Sequence, residues 1–412
     1  MRAVVVHRVS VFPLSIPLRG RVTHAASQRD HADPVVVAVE LTNGIVGYGE
    51  TLPRPYVTQE TVESVVHGIQ ATFVPFLIGF HPQSFPEALE AIEALPWGDD
   101  VRLMPAARAA VELALLDAVL RAYHRDMDAV VQWMGLPGFG SPGSIRQIRF
   151  SGVLASDDLS RTVRQLRLMY WGGLRDFKLK VGTPGDRDYL QAVLNYLRRP
   201  LAKGRATLRV DANGAWSKES AIEWLSATRD APICAVEQPL PRGREEELRD
   251  LVTAARAEVT RGMNAAGQAH AAARLFVHDE SLITIDDAQR LIQLGVADGF
   301  NIRISKCGGL LPSLRLAALA RREKVRIQLG CMVGETSILS AAGLRFLEVC
   351  PGVTWTEGCF GSFLLSDDVV RKELRFGYAG RPPRLKAPGL GVAVDPRRVE
   401  SLCPATPLVV NL

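Results

Sequence analysis

The sequence predicts an α/β protein in which a (β/α)8-type barrel follows an N-terminal α+β domain. Before residue 140, two strand-like segments precede helical ones, which is typical of an α+β domain. From residue 146 onward, short apolar segments alternate with amphipathic ones over about 210 residues, as an eight-stranded barrel requires. Charged residues stand where several of these apolar segments end. The candidate barrel strands are residues 147–154, 175–181, 206–211, 233–237, 274–279, 299–304, 325–329 and 353–357.

The N-terminal part is predicted to pair two strands and cover them with helices. Residues 4–17 and 35–50 have the apolar composition of strands. The polar segment between them, from Arg19 to Asp33, is predicted to be a loop. It is long enough for a lid over a site, and an unstructured tip is the alternative. A helix capped by Thr58 is expected to run to about Phe76, and a buried helix is expected over 103–123.

Proline and glycine residues set the expected boundaries. The segment 137–143 ends the first domain, which we place at residues 1–140. The barrel is placed at 146–362, with helices expected at 184–199, 217–228 and 285–294. Residues 363–412 lose the alternation and are expected to return to the N-terminal domain. A doubly wound open sheet is disfavoured because no glycine-rich phosphate loop follows the first strand.

Composition excludes several classes of function. The 412 residues are 47% hydrophobic, enough for a large core, and carry a net charge of +5 without a basic stripe, so nucleic acid is not an expected partner. The small positive surplus weakly favours a carboxylate substrate. No apolar run reaches the length of a membrane span. The six cysteines include no CxxC pair, so we expect reduced thiols in a cytoplasmic protein.

Two lysines stand two residues apart in the second candidate strand, Phe177-Lys178-Leu179-Lys180. Alternate residues of a strand share a face, so both ammonium groups project from the same side. Repulsion and partial burial lower the pKa of a lysine, which makes it usable as a base. A solvent-facing edge strand with two ordinary lysines is the alternative.

The next strands place carboxylates at the end where barrel enzymes keep their chemistry. Val210-Asp211, Val236-Glu237 and His278-Asp279 each stand where an apolar run stops. Three converging carboxylates need a cation, and Mg²⁺ with its oxygen ligands is the natural choice. The following strand leads to Lys306, ahead of Cys307-Gly308-Gly309, where it would face the first two lysines across the barrel mouth.

The spacing of these residues agrees with one βα unit per step. Asp211 follows Lys180 by 31 residues, Glu237 follows Asp211 by 26, and Lys306 follows Asp279 by 27. Only the step of 42 residues from Glu237 to Asp279 is too long, and the excess falls in a predicted surface insertion at 258–273. Taken alone, each of these residues is explained by an ordinary structural role: an Asx turn, a charge at the start of a helix, an N-cap or a surface lysine. Their order and spacing together favour a site.

The motifs resemble those of the enolase superfamily, and within it the muconate lactonizing subgroup. The matching elements are Lys178-x-Lys180, Asp211-x-Asn213, Glu237-Gln238-Pro239, Asp279-Glu280-Ser281 and Lys306-x-Gly308-Gly309. The resemblance implies Mg²⁺, or Mn²⁺ in its place, held by Asp211, Glu237 and Asp279. It also implies Lys180 and Lys306 as acid/base groups on opposite faces of the substrate, with Lys178 beside Lys180.

The same resemblance makes the N-terminal part, together with the returning tail, a capping domain. Its loop around His24 and Arg29 would close over the site, and we expect a homo-oligomer that acts on a small carboxylate. The chemistry implied is abstraction of a proton α to a carboxylate, and the dianionic enediolate that results needs a metal to stabilise its charge. The candidate substrate-binding residues are His24, Arg29, Asn213, Glu335 and Glu357.

The sequence alone does not decide which reaction the protein catalyses. The segment Thr356 to Asp368 and the tail Pro388-Gly389-Leu390-Gly391 resemble muconate cycloisomerases, toward which we lean. The segment Leu329 to Ser337 is closer to epimerases, and the alternative is a racemase or epimerase of an N-acyl amino acid or dipeptide. An Asp-x-Asp pair like that of dipeptide epimerases is missing from the eighth strand. A non-catalytic binding protein on the same fold is disfavoured because none of the expected ligands or lysines is lost.

Overall fold

A computed structural model of the chain describes residues 4–24, 27–140, 147–155, 158–261 and 274–412. In these ranges an N-terminal α+β capping domain precedes an eight-stranded parallel sheet that curls into a barrel, so the predicted fold class is confirmed. No helix in the described ranges is long and apolar enough to cross a bilayer.

The capping domain contains an antiparallel sheet in which strands from both ends of the chain meet. The strands of this domain are β1 (Val6–Pro13), β2 (Ile16–His24), β3 (Ser27–Ala32), β4 (Val35–Leu41), β5 (Val46–Thr51) and β14 (Leu408–Asn411). The order in the sheet is β14-β1-β4-β5, so the last strand of the tail pairs with the first of the chain. A separate hairpin joins β2 and β3. The helices are α1 (Pro55–Thr58), α2 (Val62–Gly68), a π-helical turn (Ile69–Phe73), α3 (Val74–Ile78), α4 (Phe85–Glu93), α5 (Pro105–Ala122) and α6 (Met127–Trp133).

Helix α5 lies unusually close to strand β5 because the residues that face each other on the two elements have small side chains or none. A Cβ placed on Gly47 would lie 2.2 Å from the carbonyl oxygen of Ala114, and one on Gly49 would lie 2.0 Å from that of Ala110. Glycine in the strand and alanine in the helix therefore allow the two backbones to touch, as strand glycines often do where another backbone approaches. This contact fixes the buried helix that later reaches the barrel.

The barrel strands follow one another in chain order, from β6 to β13. A parallel bridge between Phe150 and Thr356 joins the two outer strands and closes the ring. The strands are β6 (Gly152–Leu154), β7 (Asp176–Lys180), β8 (Thr207–Asp211), β9 (Ala235–Glu237), β10 (Leu275–His278), β11 (Gly299–Ile302), β12 (Arg326–Leu329) and β13 (Val353–Thr356). The helices are α7 (Leu159–Trp171), α8 (Asp186–Ala202), α9 (Lys218–Ala227), α10 (Glu245–Arg261), α11 (Ile285–Gln293), α12 (Leu310–Arg322) and α13 (Ser337–Val349), and the tail adds α14 (Gly361–Leu364), a 3-10 turn (Tyr378–Gly380) and α15 (Pro396–Ser401).

Two local expectations are wrong. The predicted loop between Arg19 and Asp33 is largely a β-hairpin of β2 and β3, which its polar composition concealed. The residue that caps the long first helix is Thr61, which forms a reciprocal capping box with Ser64, and Thr58 instead ends the short helix α1. Most of the expected insertion lies outside the described residues, which stop at Arg261 and resume at Arg274; the four residues 258–261 continue helix α10.

Candidate active site

Strand register places a lysine and two carboxylates side by side at the mouth of the barrel. Lys180 on β7 is paired with Asp211 on β8, and Asp211 is paired with Glu237 on β9. Asp279 directly follows β10, and Lys306 stands four residues after β11. All three carboxylates are buried. The five residues that spacing predicted to be neighbours therefore do meet at the carboxyl ends of the strands, as in other barrels.

The ammonium group of Lys178 contacts three carboxylates. Its Nζ lies 2.8 Å from Glu357 Oε2, 3.1 Å from Glu237 Oε1 and 3.3 Å from Asp211 Oδ2. Burial opposes its charge, but these carboxylates outweigh burial and hold the pKa of Lys178 above its ordinary value. Lys178 therefore stays protonated, and its role is to neutralise acids and to add positive potential next to Lys180.

Lys180 has the opposite properties. It is only half-buried, it lines the large cavity described below, and the described residues give its ammonium no hydrogen bond or ion pair. Burial lowers the pKa of Lys180, and the nearby charges of Lys178 and Arg303 lower it further, although Asp211 opposes them. An amine with a lowered pKa that faces a cavity is the arrangement expected of a general base.

Lys306 is fully buried and lies behind the cavity wall. Its Nζ lies 2.8 Å from Asp279 Oδ1 and 2.9 Å from the carbonyl oxygen of Asn301, and it also donates to the carbonyl of Asp279. Burial lowers its pKa to about 8. Lys306 is not among the described lining residues of the cavity, and its ammonium group is bound to Asp279, so a role in proton transfer depends on release of that ion pair.

Arg303 is a functional candidate that sequence reasoning missed. It follows β11, lines the cavity, and forms an ion pair with Asp279 while lying 4.0 Å from Glu237. Its Nε is buried and has no partner in the described part of the chain. A charged residue directly after an apolar strand, three residues before Lys306, was the signal that could have found it.

Polar residues inside barrel strands were also missed, although they hold Glu237 in place. Asn301 Nδ2 donates to Glu237 Oε1 at 2.7 Å, and Gln328 Nε2 donates to Glu237 Oε2 at 2.9 Å. Both side chains are buried. With Lys178 as a third donor, these bonds and the charge of Arg303 outweigh burial and lower the pKa of Glu237 to about 2. The sequence signal that could have identified Asn301 and Gln328 is an amide side chain in the middle of an apolar strand.

Arg209 holds the carboxylate of Glu357 in place. Its side chain is fully buried and donates to Glu357 Oε1 at 2.9 Å and to Ser151 Oγ at 3.3 Å, and its guanidinium lies 4.8 Å from the ring centroid of Trp355. Glu357, predicted to bind substrate, is therefore held between Arg209 and Lys178. Two cations neutralise this carboxylate before any ligand arrives.

The carboxylates at the mouth have the donor chemistry for a hard divalent ion. Asp211, Glu237 and Asp279 offer buried oxygen donors, and the buried Glu280 Oε2 beside them has no hydrogen-bond partner in the described structure. Among the described residues, however, no three such side chains stand in the geometry of a preformed metal site. Cations contact these carboxylates instead: Lys178 contacts Asp211 and Glu237, and Arg303 and Lys306 contact Asp279. The three carboxylates are suitable ligands for a divalent ion, but Asp279 can bind one only after its ion pairs with Arg303 and Lys306 break.

The large cavity above the mouth has a volume of about 1060 Å³. Its wall joins the capping domain, the mouth, helix α7 and the tail residues 360–378. Among the described residues of this wall, eight are lysine or arginine, and the acidic ones are Asp211 and Glu357. This balance favours an anionic ligand, since clefts lined by one sign of charge attract the opposite sign. The cationic residues of the wall are Arg19, Arg29, Arg54, Arg161, Lys178, Lys180, Arg303 and Arg375.

The predicted substrate-binding residues are only partly brought to this cavity. Arg29 and Glu357 line it, and Arg29 forms an ion pair with Asp33 at 2.9 Å. The side chain of His24 lies outside the described residues. Asn213 instead donates to Asp211 Oδ2 at 3.2 Å, so it orients that carboxylate. Glu335 lines a separate cavity of about 10 Å³, where it accepts from the backbone of Met332 at 2.6 Å.

The capping domain holds the loop that carries Lys306. Helix α5 contributes Arg108, which donates to the carbonyl oxygen of Gly308 at 2.6 Å. It also contributes Glu112, which accepts from the backbone of Leu310 and Leu311 at 3.0 and 2.8 Å and so caps helix α12. Gly309 lies against Glu112, and these contacts tie the position of Lys306 to the capping domain.

We expect Gly309→Ala to destabilise the protein strongly. Gly309 has a φ of 118°, and its added Cβ would lie 2.5 Å from the carboxyl carbon of Glu112. Strain and overpacking together should cost more than about 3 kcal/mol in the free energy of unfolding. Gly295→Ala is the matched control, because Gly295 also has a positive φ, of 71°, but open space around it. Its expected cost is about 1 kcal/mol. Equal losses for the two variants in urea denaturation would contradict the close packing of Glu112.

Comparison with known proteins identifies the family to which the chain belongs. Residues 161–398 match the family described as Enolase C-terminal domain-like. Residues 6–135 match the family described as Mandelate racemase / muconate lactonizing enzyme, N-terminal domain. Together the two matches cover the capping domain, the barrel from α7 onward and part of the tail.

Individual relatives include enzymes of two reaction types. The chain is 30% identical to an L-Lys-D/L-Arg epimerase of Methylococcus capsulatus over 391 residues, covering 93% of this chain and 97% of that protein. It is 27% identical to muconate cycloisomerase 1-2 of Acinetobacter lwoffii over 376 residues, covering 89% and 87%. A dipeptide epimerase of Cytophaga hutchinsonii, solved with Mg and the dipeptide D-Ala-L-Val, has the same fold at a TM-score of 0.77 and 20% identity, covering 99% of this chain and all of that one. This chain therefore belongs to the mandelate racemase/muconate lactonizing enzyme family of the enolase superfamily and to its muconate lactonizing-like subgroup.

Proposed function

We propose that this protein is a Mg²⁺-dependent isomerase that moves a proton on the carbon α to a substrate carboxylate. The observation that carries this proposal is Lys180, which lies in the cavity wall in register with Asp211 and Glu237, has a lowered pKa, and has no hydrogen bond or ion pair to the residues that the structure describes. Lys180 takes the proton from one face of the carbon. A divalent ion held by Asp211, Glu237 and Asp279 would stabilise the charge that develops on the substrate carboxylate.

Lys306 acts on the opposite face in this proposal. Its amine is deprotonated more readily than that of an ordinary lysine, because burial lowers its pKa to about 8. Lys178, whose charge is held by three carboxylates, remains a cation next to Lys180 and favours the deprotonated form of that base. With a base on each face of the α-carbon, one base removes the proton and the other returns a proton to the opposite face. This inverts the configuration of that carbon.

Racemisation or epimerisation of an N-acyl amino acid fits the cavity best. A volume of about 1060 Å³ is at the upper end for small-molecule sites, which favours a substrate larger than a six-carbon diacid. In the described wall the only acids are Asp211 and Glu357, and both face Lys178 within 3.3 Å. Neither is available to bind a free ammonium group, so a substrate with an acylated nitrogen is favoured over an unblocked dipeptide.

Cycloisomerisation of a muconate-type dicarboxylate is the second candidate. The eight cationic side chains of the wall suit a substrate with two carboxylates, and the likeness to a muconate cycloisomerase supports this alternative. The volume of the cavity disfavours it, because a small flat diacid would fill only part of the space.

Exchange of the α-proton in D₂O tests the proposal. We expect the wild-type protein with Mg²⁺ to replace the α-proton of N-acyl amino acids with deuterium, from both enantiomers, as followed by ¹H NMR. Removal of the metal with EDTA should abolish exchange, and Mg²⁺ should restore it. Turnover of muconate without exchange in any N-acyl amino acid would favour the second candidate. Exchange that persists without a divalent ion would contradict the role of the three carboxylates.

A further inference from the structure

A second cavity lies between the capping domain and the barrel helices α11 and α12, and we call it the side cavity. Its volume is about 840 Å³, within the range of sites for small molecules. It shares no described lining residue with the large cavity at the barrel mouth. The capping domain lines it with Glu93, Trp97, Arg108 and residues 136–139, and the barrel lines it with residues 283–289 and 312–322.

One face of helix α12 runs along the length of the side cavity. Its lining residues recur at helical spacing, so they lie on one side of the helix. From Pro312 to Arg322 the helix rises by about 15 Å. Apolar side chains of the capping domain and of the segment that leads into α11 also line the cavity, so an elongated apolar ligand fits it. The residues of this helix face are Pro312, Arg315, Leu316, Leu319 and Arg322.

Positive charge is concentrated at the C-terminal end of α12. Among the described lining residues the acid is Glu93, and Arg315 already binds it at 2.9 Å. Arg321 forms no ion pair in the part of the chain that the structure describes; it donates to the carbonyl oxygen of Pro351 at 2.9 Å, and its guanidinium lies 5.7 Å from the ring centroid of Phe139. This end of the cavity therefore favours an anion. The lining cations are Arg108, Arg315, Arg321 and Arg322.

The opposite end of the side cavity lies against the loop that carries Lys306. A Cβ placed on Gly308 would lie 2.8 Å from Trp97 Cζ3, so the indole ring packs directly on that glycine. The guanidinium of Arg108 lies 4.8 Å from the centroid of the Trp97 ring and donates to the carbonyl oxygen of Gly308 at 2.6 Å. A ligand that contacts Trp97 therefore contacts the residues that hold the Lys306 loop.

We propose that the side cavity binds a small monocarboxylate with an apolar chain, and that this ligand stabilises the loop that carries Lys306. The carboxylate is bound by Arg321 and Arg322, and the chain follows Leu316 and Leu319 toward Trp97. A second charged end is disfavoured there. The buried Arg108 beside Trp97 already donates to three backbone carbonyl oxygens. This inference does not depend on the proposed reaction.

Octanoate and 1-octanol test the binding site, because they have the same chain length and differ in charge. We expect calorimetric titration to give octanoate a Kd about 10-fold lower than that of 1-octanol, since hydrogen bonds to charged groups are the stronger ones. Equal affinities would overturn the role of the arginines. Absence of octanoate binding would overturn the site, including the case in which a second copy of the chain covers the cavity.

Substitutions locate the bound octanoate. In the double variant Arg321→Gln and Arg322→Gln, which changes two exposed residues, the affinity ratio of the two compounds should fall to about 1 because both cations are lost. Ala318→Met narrows the cavity, so it should weaken both compounds and keep the ratio. Arg161→Gln changes the large cavity and is the control that should alter nothing. A ratio lost in Arg161→Gln but kept in the double variant would place octanoate at the barrel mouth and overturn the proposal.

Hydrogen exchange tests the effect on the Lys306 loop without any turnover. The backbone N–H groups of Leu310 and Leu311 donate to Glu112 and report opening of this loop. With octanoate at ten times its Kd, their exchange should slow by about 10-fold, because a ligand bound only to the closed loop stabilises it by that factor. The double arginine variant at the same octanoate concentration should show no slowing. Unchanged exchange in wild-type protein with bound octanoate would overturn the stabilisation of the loop.

Discussion

Replacement of either Lys180 or Lys306 by methionine should lower turnover by about 10²- to 10⁴-fold, because positioned general acids and bases typically raise a rate by a factor of that size. Methionine keeps the length of the side chain and removes the amine. Both variants are expected to stay folded, since the described residues give Lys180 no ion pair and Asp279 keeps Arg303 when Lys306 is removed. Steady-state rates with saturating Mg²⁺ provide the measurement.

Two controls separate chemistry from folding in that experiment. Lys203→Met changes an exposed lysine at the end of α8 and should leave the rate unchanged. A thermal shift on addition of Mg²⁺ should persist in Lys180→Met, because a ligand that binds only the folded state stabilises it. Near-normal turnover by either lysine variant would show that its amine is not an acid/base group.

Lys178→Met should destabilise the protein while leaving its shape intact. The side chain of Lys178 is buried and contacts Glu357, Glu237 and Asp211 within 3.3 Å. Removal of one partner from a buried ion pair costs about 3–5 kcal/mol, because the remaining charges stay buried without compensation. The loss should appear as a lower midpoint of urea denaturation, and Mg²⁺ should recover part of it by neutralising the same carboxylates.

An exposed ion pair provides the comparison for Lys178→Met. Lys218 lies 2.7 Å from Asp250 on the surface, so Lys218→Met should shift the midpoint far less, because solvent screens such pairs. Similar shifts for the two variants would contradict the view that Lys178 balances the buried carboxylates. A destabilised Lys178→Met that gains nothing from Mg²⁺ would contradict the metal site.

The fold, and the meeting of the candidate site residues at the barrel mouth, could be predicted because their signals are local. Each barrel strand is a short apolar run, and charged residues at the ends of several strands mark the mouth. Lys180, Asp211 and Glu237 are paired in register, so their spacing by single βα units was enough to bring them together. The Lys306 loop was recognisable for the same reason.

What the sequence did not predict depends on contacts between distant segments. Arg209 and Asn301 are polar residues inside apolar strands, and their value as partners of Glu357 and Glu237 appears only when the barrel closes. Glu335 was expected to touch substrate, but it accepts from the backbone of Met332 and does not line the large cavity. Such differences come from the direction of a side chain, which spacing along the chain cannot specify.

The measurement that tests the two-lysine account most directly is deuterium exchange on each enantiomer of one N-acyl amino acid, followed by ¹H NMR with Mg²⁺ present. If the two lysines act on opposite faces, Lys180→Met loses exchange of one enantiomer, Lys306→Met loses exchange of the other, and each variant keeps the remaining exchange. If one variant loses exchange of both enantiomers while the other loses neither, a single base acts on the carbon and the account is wrong.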